Sequence, residues 1–76
     1  MINQPTLEQI KNDPRPKNML DINQVSEKTG LGVSTIKKKK AAGTFPQPVQ
    51  YEDMPYKNLW PDFVIDDWIN QSIVIG

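Results

Sequence analysis

The chain contains no cysteine and no histidine. Without cysteine there is neither a disulfide framework nor a thiolate metal site to support a small core. Without histidine, the commonest general base and the commonest metal ligand are both missing. No apolar run approaches the ~18 residues that would suggest a membrane-spanning helix. Residues 1–17, MINQPTLEQIKNDPRPK, lack the apolar stretch of a secretory leader. The expectation is a cytoplasmic protein with no cofactor, no membrane partner and no enzymatic activity.

The 76 residues that are present suffice for one domain. A chain of this length buries only about 60% of the surface its unfolded form exposes, so its core is marginal. Nine basic residues balance nine acidic ones, yet they are unevenly placed. Residues 1–32 are mixed in sign. Residues 33–43 carry only Lys37, Lys38, Lys39 and Lys40. Residues 44–76 carry Lys57 against Glu52, Asp53, Asp62, Asp66 and Asp67. Local potential decides what a surface attracts, so this lysine run outweighs the neutral total. The neutral total still predicts weak non-specific affinity for nucleic acid.

Local signals divide the chain into an arm, a folded body and a tail. Residues 1–19 read as a flexible N-terminal arm, with a Thr6/Gln9 capping box for one short helical turn and Pro14 and Pro16 forbidding its continuation. In the body, residues 20–72, Asn23 suits an N-cap, Gln24–Lys28 a first helix, and Gly30 a left-handed C-cap. A second helix runs from Val33 to Ala42, with Gly32 at its N-cap and Gly43 ending it. Two short helices about a tight glycine turn form a helix-turn-helix. Phe45–Tyr51 reads as an edge strand, Glu52–Lys57 as a polar turn and Asn58–Trp60 as the return strand. Pro61 and Asp62 open a last helix with Val64, Ile65, Trp68 and Ile69 on one face. Residues 73–76 form an apolar tail without an evident burial partner. The expected class is mainly α with a small β-hairpin.

The lysine helix carries the functional signal. Ile36 is the large apolar residue at its middle, so it faces the core. Successive residues turn by 100°, so four lysines in a row sweep most of the circumference. Lys39 or Lys40, at i+3 and i+4 from Ile36, then lies over the apolar side with its stem buried and its ammonium outward. A helix serving stability alone would carry Leu or Val there. Phosphate contact explains the choice of lysine. Val33, Ser34, Thr35 and Lys38 are the groove-facing candidates, and Lys37, Lys39 and Lys40 the phosphate contacts. In the hairpin, Tyr56, Lys57 and Asn58 are candidates for a further contact, opposed by Glu52 and Asp53. Trp60, Trp68, Phe45 and Phe63 read as core. Asp62 and Asp66, at i and i+4, have the spacing of a metal pair, but a favourable first-turn charge and a solvated face account for them.

MLDINQVSEKTGLGVSTIKKKKAAGTFPQPVQY followed by NLWPDFVIDDWI resembles the AlpA family of prophage regulators and the related excisionase-like winged-helix proteins. The TGLGVSTI turn, the GTFPQPV passage and the closing helix with its two tryptophans carry the likeness, over residues 20–69. The family usually has Ser at the position of Gly32, apolar residues at Lys39 and Lys40, and a more basic wing. The resemblance implies a MerR-like winged helix-turn-helix, a double-stranded DNA ligand, and a role in transcription regulation or in excision during DNA recombination of a mobile element. Integrase and further copies on adjacent DNA sites are the expected partners. The alternative is a protein-interaction module, an anti-repressor or integrase-docking factor, using the same fold without strong DNA binding.

Overall fold

A computed structural model describes residues 5–74. Within them, four helices and a three-stranded antiparallel sheet follow in the order α1 (Leu7–Asn12), β1 (Met19–Leu20), α2 (Ile22–Thr29), α3 (Val33–Ala41), β2 (Val49–Tyr51), β3 (Met54–Pro61) and α4 (Asp62–Ser72). No helix among these residues is long and apolar enough to cross a membrane.

Capping chemistry sets where the first two helices begin. At α1 the backbone N–H of Gln9 donates to Thr6 Oγ1 (3.2 Å) and the Thr6 N–H donates to Gln9 Oε1 (2.8 Å), which is the expected capping box. The same device opens α2, but at Asp21 rather than at Asn23. The Gln24 N–H donates to Asp21 Oδ1 (2.8 Å), and the Asp21 N–H donates to Gln24 Oε1 (2.9 Å). Asp21 has a glutamine three residues on, whereas Asn23 has Ser26 there, so only Asp21 completes the reciprocal pair.

The turn between α2 and α3 is held by side chains as well as by glycine. Gly30 takes a left-handed φ of 75° and its N–H donates to Ser26 O at 2.9 Å. Ser26 Oγ donates across the turn to Leu31 O (2.6 Å), and Thr29 Oγ1 donates back to Val25 O (2.8 Å). Leu31 thereby folds onto the core. Gly32 stands at the N-cap of α3 with no side-chain cap, and Gly43, again at φ 75°, lets the chain leave. The N–H of Thr44 donates to Lys39 O and closes the helix end.

The sheet is larger than the expected two-stranded hairpin. Its order is β1-β3-β2, with Met19 opposite Pro61, Leu20 opposite Trp60, Val49 opposite Leu59 and Tyr51 opposite Met54. The hairpin turn is the residue pair Glu52–Asp53, not the six-residue loop expected, and β3 runs from Met54. Pro55 did not delay the strand because it lies at its beginning, where a missing donor is tolerated. Pro46 and Pro48 keep residues 45–48 out of the ladder, so β2 is shorter than expected. β1 is two residues long, too short for any periodic pattern, and exists because β3 offers it an edge.

Two apolar clusters lie beneath these elements. Val25, Ile36, Phe45, Trp60 and Ile65 form the larger, flanked by Leu20, Ile22, Leu31, Trp68 and Ile69. Phe45 meets Trp60 edge-on at 6.3 Å and Trp68 at 4.7 Å. Each indole N–H finds a carbonyl, Trp60 on Pro46 O at 2.8 Å and Trp68 on Thr44 O at 3.2 Å. Ile10, Phe63 and Val64, with Val49 against them, form the smaller cluster.

The smaller cluster bears on the N-terminal stretch, read from the sequence as a flexible arm. Residues 1–4 lie outside the described residues. Over the rest, Ile10 is buried against α4, and the Arg15 guanidinium stacks 4.5 Å from the centre of the Phe63 ring. Arg15 also pairs with Asp13 (2.8 Å) and Asp67 (3.0 Å), joining the stretch to α4. Pro14 and Pro16 do keep this passage out of helix, as expected. At the other end, Ile73 and Val74 are exposed, 64% and 85% respectively. Ile75 and Gly76 of the expected tail lie outside the described residues.

Candidate functional site

Ile36 is completely buried and fixes how α3 is rotated. Residues far from it around the helix point away from the body: Ser34, Thr35, Lys37 and Lys38 are exposed. Residues one turn from it are half-buried, and these are Val33, Lys39 and Lys40. The run of lysines is therefore divided. Lys37 and Lys38 project freely, while Lys39 and Lys40 lie with their stems toward the apolar side, as the 100° advance per residue requires. The outward surface consists of two hydroxyls and two ammonium groups on consecutive turns, bordered by the exposed methyls of Ala41 and Ala42.

No ion pair forms between any of the four lysines and a carboxylate among the described residues. The acids of α4 are engaged elsewhere. Asp62 (2.7 Å) and Asp66 (2.9 Å) both hold the ammonium of Lys28. They stabilise its charged form, Asp62 most strongly, and raise its pKa above the ordinary lysine value. The i, i+4 carboxylate pair is thus a receptor for a lysine of α2. Among the described residues, no group of three or more His, Cys, Asp or Glu side chains is placed to hold a metal. Arg15 is charge-stabilised by Asp13 first and Asp67 second, and in return it holds the Asp13 carboxyl down at about 2. Lys28 and Arg15 thus hold the acids of α4 in ion pairs, and none of these acids pairs with a lysine of α3.

No family model, curated protein or solved structure matches this chain. The hairpin candidates Tyr56, Lys57 and Asn58 are all exposed, Tyr56 by 80%. Asn58 Oδ1 accepts from Gln50 Nε2 at 2.9 Å, so its side chain is braced across the hairpin. Glu52 and Asp53 occupy the exposed turn beside them. No hydrogen bond or ion pair among the described residues joins the hairpin set to the α3 set. Gln47 Nε2 does donate to Lys40 O (3.3 Å), tying the end of α3 to the segment that leads into β2.

Three residues that shape this surface carried no expectation: Lys28, Arg15 and Asp21. The capping box at Asp21 had a readable signal in Gln24. Asp62 and Asp66, which hold Lys28, and Asp67, which holds Arg15, are 34 and more residues distant in sequence and share no local pattern with them; Asp13 is the local partner of Arg15.

Proposed function

We propose that this chain is a winged helix-turn-helix protein that binds double-stranded DNA, with α2 and α3 as the helix-turn-helix and the β2–β3 hairpin as the wing. The observation that carries the reading is the outward face of α3. Ser34, Thr35, Lys37 and Lys38 stand exposed there, and no carboxylate of the described residues neutralises them. A helix end bearing hydroxyls suits base edges or phosphates, and adjacent ammonium groups suit the phosphate backbone. Lys39 and Lys40, emerging at the flank, would meet phosphates beside the groove, and Val33 would sit near a thymine methyl. The wing contact through Tyr56, Lys57 and Asn58 is the weaker part, because Glu52 and Asp53 repel the same phosphates.

The likeness of residues 20–69 to AlpA-like and excisionase-like proteins supports a role in a prophage or other mobile element, as a transcription regulator or an accessory factor for excision. A second reading, a protein-docking module, is favoured by the acidic turn and the exposed Ile73 and Val74. Mobility-shift titration with random-sequence duplex and with the element's own ends tests the first reading. Binding that is lost in the Lys37→Ala/Lys38→Ala chain supports it. No binding to either duplex, with a stoichiometric protein complex instead, supports the second.

A further inference from the structure

Gln50 of β2 and Asn58 of β3 are both exposed and lie one step along the hairpin from the Val49–Leu59 pairing. Gln50 Nε2 donates to Asn58 Oδ1 at 2.9 Å, and neither amide has another protein partner among the described residues. Gln50 Oε1 is therefore free to accept and Asn58 Nδ2 free to donate. Turning both amides over exchanges these roles and leaves the same complement, one carbonyl oxygen and one amino group.

The pair lies on the α3 side of the sheet. Asn58 is two residues before Trp60, and side chains two apart on a strand share a face. Trp60 lies in the cluster with Ile36 of α3, whereas Val49, next to Gln50 on β2, packs the other way against Ile10, Phe63 and Val64. Gln47, whose Nε2 donates to Lys40 O, ties the end of α3 to the chain leading into β2. At the hairpin tip, Glu52 and Asp53 are exposed and make no ion pair among the described residues.

These groups limit what the hairpin can contact on a duplex. The two acids oppose phosphates, and they oppose most strongly the narrow minor groove of A·T-rich DNA, where the negative potential is enhanced. The amides are neutral and suit a base edge that offers a donor beside an acceptor. In the minor groove an A·T pair presents acceptors alone, and a G·C pair adds the guanine 2-amino donor. The cross-strand hydrogen bond holds both side chains, so less rotamer freedom is lost on contact.

We propose that, with α3 in the major groove as the DNA-binding reading on which this rests requires, Gln50 and Asn58 select G·C pairs in the adjoining minor groove. Gln50 Oε1 accepts from the guanine 2-amino group, and Asn58 Nδ2 donates to an acceptor beside it. The hairpin then supplies base discrimination, while the lysines of α3 supply affinity.

The test titrates the full chain, by fluorescence anisotropy, with one mixed-sequence duplex and two analogues. In the first analogue inosine replaces every guanine, which removes only the minor-groove 2-amino group. In the second, 2,6-diaminopurine replaces every adenine, which adds that group. Inosine should weaken binding about fivefold or more, and diaminopurine should tighten it. Gln50→Ala/Asn58→Ala, at exposed positions where the fold tolerates change, should abolish the difference between duplexes and leave the salt dependence unaltered. Lys37→Ala/Lys38→Ala should weaken all three duplexes and keep their ranking. Equal binding of the three by the parent chain, or the opposite ranking, would overturn the proposal while leaving the reading of α3 intact. So would a ranking that persists in Gln50→Ala/Asn58→Ala. Failure to bind any of the three would overturn both.

Discussion

Replacing Ile36 tests whether α3 is rotated as described, because every outward lysine is placed by that one buried side chain. At roughly 0.05–0.15 kcal/mol per residue, 76 residues give a stability of about 4–11 kcal/mol. Ile36 is 0% exposed and packs among Val25, Phe45, Trp60 and Ile65. Removing one methyl in Ile36→Val should cost about 1 kcal/mol. For a domain of this size that is a fall of roughly 4–8 °C in Tm. Ile36→Ala should cost about 2–5 kcal/mol, leaving the chain partly unfolded at the low end of its stability range. Lys38→Ala, on the opposite face, should stay within about 0.5 kcal/mol of the parent. Urea titration followed by tryptophan fluorescence reads all three, since Trp60 lies in the same cluster. If Ile36→Ala cost less than about 1 kcal/mol, or Lys38→Ala cost as much as Ile36→Ala, the helix would be turned differently and the outward set would be wrong.

Two further outcomes follow from the caps and the N-terminal clamp. Asp21→Ala should cost about 0.5–2 kcal/mol by removing the side-chain half of the α2 capping box, whereas Asn23→Ala, already inside the helix and exposed, should change thermal stability little. Asp13 is held at about 2 against an ordinary 3.8 by its hydrogen bonds to Arg15. A depressed carboxylate stabilises the fold above its ordinary value and loses that effect as pH falls. The stability gap between the parent and Asp13→Asn should therefore be full above about pH 4 and close toward about pH 2 in thermal melts, and a gap that is constant with pH would contradict the Arg15–Asp13 pairing.

Features encoded by neighbours in sequence were legible, and features made by distant neighbours were not. Gly30 with Leu31, the span of α3, the closing helix and the buried aromatics all follow from local spacing, and the structure has them. The division of Lys37–Lys40 into two outward and two flanking side chains was likewise implicit, since Ile36 supplies the reference direction. The α2 start was misplaced by two residues because Asn23 is a good cap taken alone, while the reciprocal Gln24 belongs to Asp21. β1 had no pattern to read; its strand character comes from Pro61 and Trp60 across the sheet. The burial of Ile10, the Arg15–Asp67 pair and the Lys28 bridge to Asp62 and Asp66 each join segments far apart in sequence. Of these, the Lys28 bridge engages two of the three acids of α4.

The most direct test of the central claim is the salt dependence of duplex binding in the parent and in Lys37→Ala/Lys38→Ala, followed by fluorescence anisotropy. Each phosphate contact contributes about 0.9 to the slope of log K against log salt concentration. Loss of both exposed lysines should therefore flatten the slope by about 1.8 and weaken binding across all sequences. A slope that is unchanged in the double variant would contradict the account, because the outward face of α3 would then not be where DNA binds.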